Sequence, residues 1–119
     1  MAKTLVLGAS PKSSRYANQA VQALKENGHE VIAVGKARGD IDGTPIQTEL
    51  PEDTDIHTVT LYLNSSRQKN YEEAILKLAP ERIIFNPGEE NREFKKKAEE
   101  KGIETLERCT LVMLSLGHY

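Results

Sequence analysis

The stretch LGASPKSSRYANQ, residues 7–19, gathers groups that bind anions. Gly8 permits an unusual backbone angle or a close approach by a ligand. Ser10, Ser13 and Ser14 offer hydroxyl donors, and Lys12 and Arg15 supply formal charge. A helix beginning just beyond would add free N–H groups and a partial positive charge. Together these groups suit a diphosphate. The spacing is neither the Walker pattern G-x-x-x-x-G-K-[ST] nor the dinucleotide fingerprint G-x-G-x-x-G: Gly8 is followed by Ala9, Ser10, Pro11 and Lys12. Pro11 has no N–H to offer. The plainer alternative is an ordinary strand-to-helix loop with a serine cap and solvated basic residues.

A second cationic group follows the next apolar run, at Gly35-Lys36-Ala37-Arg38. NAD-binding domains commonly place Asp or Glu at this point to hold the ribose hydroxyls. Two cations in place of a carboxylate favour a phosphorylated adenosine ribose, as in NADP or coenzyme A. The alternative is a pair of solvated loop charges.

Little else points to chemistry. Cys109 is the one thiol, and beside the apolar run TLVML it reads as a small buried hydrophobe. His29, His57 and His118 match no metal-ligand spacing. Glu89 and Glu90 are expected to stabilise the start of the helix that follows them. Glu93 and Lys97 are expected to pair at i,i+4 on a solvated face. No catalytic residue and no metal ligand is assigned.

The elements that must position these groups alternate. KTLVLG (3–8) and EVIAVG (30–35) read as buried strands, separated by a helix with Ala17, Ala20, Val21 and Leu24 on its inner face. Ser13 or Ser14 is expected to cap that helix, and Gly28 to end it. An Asp-Gly turn signal lies in DIDGTP, a short edge strand is expected near 46–48, and LPEDTD reads as a loop or a single helical turn. A strand at 57–63 precedes a helix carrying Tyr71, Ala74, Ile75 and Leu78, which Pro80 stops. RIIFN (82–86), a charged helix from Asn91 to Lys101 with Phe94 and Ala98 inward, and a strand IETLE (103–107) complete the alternation. CTLVMLSLG (109–117) is left open between strand and helical turn.

This pattern predicts a doubly wound, Rossmann-like α/β fold: one domain over residues 1–119, with a parallel sheet of five to six strands in the order 3-2-1-4-5-6. Such sheets bind ligands where the strand order reverses. Here that point lies between strand 3–8 and strand 57–63, flanked by the loop 8–15 and by Asn64-Ser65-Ser66-Arg67.

The 119 residues fit one domain, with 29% charged and 38% hydrophobic residues. The net charge of −2 provides no general field for nucleic acid or an anionic membrane. No run approaches the ~18 apolar residues of a membrane span, and MAKTLVLGAS is too short for a signal core. With a lone cysteine, the expected location is cytoplasmic.

LVLGASPKSSRYANQAVQALKENGHEVIAVG resembles the start of the small stand-alone CoA-binding proteins, which are similar to the CoA-binding domain of the succinyl-CoA synthetase α subunit. DIDGTPIQTELPEDTDIHTVTLYL, NPGEENREFKKKAEEKGIE and ERCTLVML continue the likeness from about Lys3 to Leu114. The resemblance implies CoA lying across the strand ends, with Gly8, Ala9, Ser10 and Arg15 at the pyrophosphate. The position after the second strand would face the adenosine end, and the turn after strand 57–63 would also touch the ligand. The family often has Asn-Pro where this chain has Gly35-Lys36, and proline or arginine where it has Asn64 and Ser65. The synthetase's phosphorylated histidine belongs to a second domain, which is not expected in these 119 residues.

The expected function is therefore non-catalytic binding of coenzyme A or acyl-CoA, as a carrier or regulator, through Gly8, Ala9, Ser10, Lys12, Ser13, Arg15, Gly35, Lys36, Arg38, Asn64 and Ser65. The rivals are a small NADP-dependent reductase and a protein-interaction module that has lost the ligand. No protein partner, acyl group or biological process is readable.

Overall fold

The structure, a computed structural model, describes residues 2–52 and 55–119. Seven strands form one sheet: β1 (Lys3–Leu7), β2 (Glu30–Val34), β3 (Gly39–Ile41), β4 (Thr44–Gln47), β5 (Thr58–Leu61), β6 (Arg82–Phe85) and β7 (Glu104–Glu107). Their order is β3-β4-β2-β1-β5-β6-β7, parallel except for the β3–β4 pair. Among the described residues five helices accompany them: α1 (Tyr16–Glu26), α2 (Ser65–Gln68), α3 (Glu72–Leu78), α4 (Arg92–Glu100) and α5 (Thr110–Ser115). Without β3, the order is the predicted doubly wound 3-2-1-4-5-6, with the reversal between β1 and β5.

The strand period of two divides the core into two layers. Leu5, Leu7, Val59, Leu61, Ile83 and Phe85 pack against α3 and α4, where Ile75 and Phe94 are fully buried. The Phe85 and Phe94 rings meet edge to face at 5.9 Å. On the other face, Val6, Ala33 and Ile46 pack against Ala17, Val21 and Leu24 of α1 and Leu114 of α5.

That second face carries a polar seam. Thr4, Thr58 and Thr60 are fully buried, and the register sets Thr4 beside Thr58. The Thr60 and Thr110 hydroxyls lie 2.8 Å apart, and the Thr4 hydroxyl lies 2.5 Å from that of Tyr119. Asn86, just past β6, donates to Thr60 Oγ1 at 2.7 Å and to the Leu61 carbonyl at 2.8 Å. Its Oδ1 accepts from the Thr110 N–H at 2.9 Å, which fixes the start of α5. Burying these groups is tolerable because they satisfy one another.

The structure corrects several expectations. The sheet has seven strands, not five to six, because Asp42 and Gly43 form a hairpin that folds β3 back on β4. Both turn residues have positive φ, 47° and 91°, as a two-residue hairpin turn of the I′ kind requires. Asp40 Oδ2 accepts from the Gly43 N–H at 2.9 Å and closes the turn. The edge strand expected near 46–48 starts earlier, at Thr44. Residues 110–115 are helical. Helix α1 is capped by neither Ser13 nor Ser14: its N-cap is Arg15, with no side-chain cap bond. Lys97 pairs with Glu72 of α3 at 3.2 Å rather than with Glu93, so a supposed solvated pair ties two helices instead. Ala74 is exposed. Of LPEDTD, residues 53 and 54 lie outside the described residues.

Asn86→Ala is expected to lower stability by about 3 kcal/mol, since it strands buried partners on β5 and α5 at once. Chemical denaturation measures this, and a loss below about 1 kcal/mol would show that the Asn86 bridge is dispensable.

Candidate functional site

At the reversal point three strand-end loops meet through their main chains. The Val34 carbonyl accepts from both the Gly8 and the Ala9 N–H groups, at 2.8 and 2.9 Å. Gly35 N–H donates to the Gln47 carbonyl, and Tyr62 N–H to the Leu7 carbonyl, each at 2.8 Å. Gly8 has φ 102°, and a Cβ there would lie 2.7 Å from the Tyr62 carbonyl oxygen. A Cβ on Gly35 would lie 2.2 Å from the Ala9 carbonyl oxygen. Both glycines are therefore required by close packing of backbone on backbone.

This packing leaves a cleft of about 100 Å³ lined by Leu7, Gly8, Gly35, Lys36, Leu63, Arg67, Asn70 and Tyr71. Its floor is the ends of β1 and β2, and Lys36 and Arg67 supply its charge. Among the described residues, no thiol, imidazole or carboxylate lines it. Further along the loop that follows Gly8, the start of α1 is open: Tyr16, Ala17 and Asn18 have no hydrogen-bond acceptor for their N–H groups among the described residues. Such a helix start attracts anions.

The loop before α1 is held from within. Buried Asn18 donates to the Ser10 carbonyl at 2.9 Å, and Ser10 Oγ accepts from the Lys12 N–H at 3.2 Å. Pro11 lies against Gly39 of β3, leaving only 3.3 Å for a side chain there. Lys12, Ser13 and Arg15 point outward, all exposed.

Of the eleven residues assigned from the sequence, Gly8, Gly35 and Lys36 line the cleft together. Ala9 is buried behind them, and its N–H is used by Val34. Ser10, Lys12, Ser13 and Arg15 surround the α1 start. Arg38 is exposed just beyond Lys36, outside the cleft lining. Asn64 is the N-cap of α2, with Oδ1 accepting from the Arg67 N–H at 2.9 Å, and Ser65 begins that helix. Sequence reasoning set Arg67 at the reversal point and Tyr71 on a helical face but assigned neither them nor Asn70 to the site. Their signal was the polar run directly after a buried strand at the reversal point.

Fully buried Gln68 locks the neighbouring loops. Its Nε2 donates to the Leu63 carbonyl at 2.8 Å and to the Glu89 carbonyl at 2.7 Å. Its Oε1 accepts from Asn91 at 2.9 Å, and Asn91 in turn caps α4 through the Phe94 N–H. Glu90 accepts from the Gly88 N–H at 3.1 Å, closing the turn before α4. Cys109, expected in the core, is half-buried at the N-cap of α5.

A family model described as "CoA binding domain" matches residues 2–115. The chain belongs to this CoA-binding domain family. A crystal structure of an uncharacterized protein is 48% identical and superposes with a TM-score of 0.97, covering 100% of this chain and 98% of that one. A hypothetical protein from Pyrococcus horikoshii OT3 is 28% identical, with a TM-score of 0.85 over 95% of this chain and 81% of that one. An aspartate dehydrogenase from Thermotoga maritima, 18% identical with a TM-score of 0.56 over 89% of this chain and 44% of that one, shares the fold. No protein with a curated description matches the sequence. No helix among the described residues is long and apolar enough to cross a membrane.

The carboxyl of Glu89 is held above the usual range, first by burial and then by the neighbouring Glu90. A raised pKa means that the native state binds this proton more readily than the unfolded chain. The stability it contributes is full below the unfolded carboxylate pKa and is lost as pH rises through the folded value. Glu89→Gln is therefore expected to raise the melting temperature at pH 7, with the gain shrinking as pH falls toward ~4. The gain should stay below about 1 kcal/mol because water still screens the site. A gain that is unchanged at low pH would assign it to something other than ionisation.

Proposed function

We propose that the protein binds coenzyme A or an acyl-CoA across the C-terminal strand ends, with no catalytic apparatus of its own. The observation that carries this is the main-chain cradle at the reversal point. Glycines at positions 8 and 35 let the strand ends close up, and the loop after Gly8 leads to an α1 start with no side-chain cap bond. The pyrophosphate would sit at that helix start, with Ser10, Ser13 and Arg15 donating and Lys12 adding charge. Lys36, with Arg38 behind it, would meet the 3′-phosphate of the adenosine. Arg67 of α2, which lines the same cleft as Lys36, would contribute a further cation. A ligand lying here would be bound mainly as an anion, which leaves its thiol or acyl end free for another protein to use. That suits a carrier or a regulator acting in the cytoplasm.

The test is a ligand series followed by thermal denaturation. CoA should stabilise more than dephospho-CoA, NADP less than CoA, and NAD least. At a hundredfold excess over Kd a ligand adds ~2.7 kcal/mol, a shift on the order of 10 °C for a domain of this size. Lys36→Ala should erase much of the gap between CoA and dephospho-CoA, and added salt should narrow it. Arg15→Ala and Ser10→Ala should each weaken CoA about tenfold or more, the loss of a charge-assisted bond of ~1.5–3 kcal/mol. NADP above CoA would instead support a reductase. Equal shifts for CoA and dephospho-CoA would remove Lys36 and Arg38 from the site. No shift with any of the four would favour an interaction module.

A further inference from the structure

The cleft between β1 and β5 is not the largest concavity. A groove of about 590 Å³ runs between α5 and the outer strand β7, and it shares no lining residue with the cleft. Its apolar wall is Leu106 from β7 with Val112, Met113 and Leu116 from α5. Val112 and Leu116 are 51% and 61% exposed, two of the three large apolar side chains left most open to water among the described residues. The volume lies within the range of small-molecule sites.

One end of the groove is marked by Arg82 at the start of β6. Its Nε donates to the Thr58 hydroxyl at 2.8 Å, and its guanidinium carbon lies 4.5 Å from the centre of the Tyr119 ring. The side chain is thereby fixed in place. Yet Nη2 is enclosed with no hydrogen-bond partner, and Arg82 makes no ion pair among the described residues. Glu104 stands opposite it in the strand register and lines the same groove without pairing to it. Arg82 is half-buried and lines the groove, and an anion in the groove would supply the counterion it lacks among the described residues. Arg108 lies beyond the other end of β7, exposed, with Cys109 next to it, and His118 completes the rim.

We propose that this groove binds an amphiphilic monocarboxylate of medium chain length. The carboxylate meets Arg82, and the aliphatic chain lies along Leu106, Met113 and Leu116 toward Cys109. The assignment rests on one fixed cation without an ion-pair partner among the described residues, at the end of an open apolar channel, and it is independent of the nucleotide reading of the cleft.

Octanoate titrated into the isotopically labelled chain and followed by two-dimensional NMR provides the test. Saturable shifts are expected at Leu106, Val112, Met113 and Leu116, with Gly8 and Lys36 unmoved. Octan-1-ol and acetate, which lack the head or the tail, should each bind at least tenfold more weakly. Arg82→Gln should weaken octanoate at least tenfold, whereas Arg108→Ala should change it less than twofold. Should Arg82→Gln fail to fold, Leu116→Asp decides: on an exposed residue it leaves the fold intact and should abolish binding by repelling the carboxylate and wetting the channel. Octanol binding as tightly as octanoate, shifts centred on Gly8 and Lys36, no saturable shift, or octanoate binding unchanged in Leu116→Asp would each overturn the proposal.

Discussion

The architecture turns on one contact: the Val34 carbonyl at the end of β2 receives the consecutive N–H groups of Gly8 and Ala9. That contact pulls the first loop down onto the end of β2. It is sterically possible only because residues 8 and 35 have no side chains, since a Cβ at either would run into a neighbouring carbonyl. The descent of the loop sets where α1 begins, and with it the direction of the helix's unpaired N–H groups. Gly35 then hands the chain to the β3–β4 hairpin, whose Gly39 packs against Pro11 of the same loop. The edge hairpin, absent from the simplest doubly wound plan, thus buttresses the loop it does not directly follow.

The second organising feature is a polar core on the α1–α5 face. A sheet buried on both sides usually reads as continuous aliphatic runs, but here Thr4, Thr58 and Thr60 occupy its centre. Asn86 joins β5, β6 and α5 through three hydrogen bonds, while Tyr119 reaches back to Thr4. Tyr62 stands beside this seam, its enclosed hydroxyl without a hydrogen bond of good geometry among the described residues, and burial pushes its ionisation well above the ordinary range. Directional bonds of this kind fix the seat of α5 more narrowly than aliphatic packing would, because a shifted helix would leave buried groups unsatisfied.

The order of the six main strands and the place of the cleft were legible because hydrophobic runs and helix-period faces are local signals. The Asp42-Gly43 pair also announced a turn, yet the strand β3 leading into it has only three residues, one of them glycine, and carries almost no apolar pattern. Helix α1's start was misread for a different reason. Serines 13 and 14 have capping chemistry, but tying the loop to Val34 and Asn18 delays the first helical turn until Tyr16. The contribution of Arg67 depends on where a four-residue helix turns its side chains, which no periodicity over so short a run reveals. Gln68 was invisible in the same way: a polar residue amid NSSRQKNY reads as solvated, and only the convergence of two loops on it explains its complete burial.

The Gln68 contacts also bear on how the cleft keeps its shape. Arg67 and Asn70 sit on either side of a residue whose amide is bonded to both flanking loops, so neither loop shifts without breaking a buried hydrogen bond. The same amide passes to Asn91, and Glu72 accepts from Asn91 at 3.4 Å while holding Lys97 at 3.2 Å. The loops after β5 and β6 are therefore braced through α3 and α4, on the face of the sheet away from α1. On the near face the α1 loop is braced by Asn18 and Pro11. A cleft held from both faces has little rearrangement left to make when an anion arrives, and the conformational cost of binding falls accordingly.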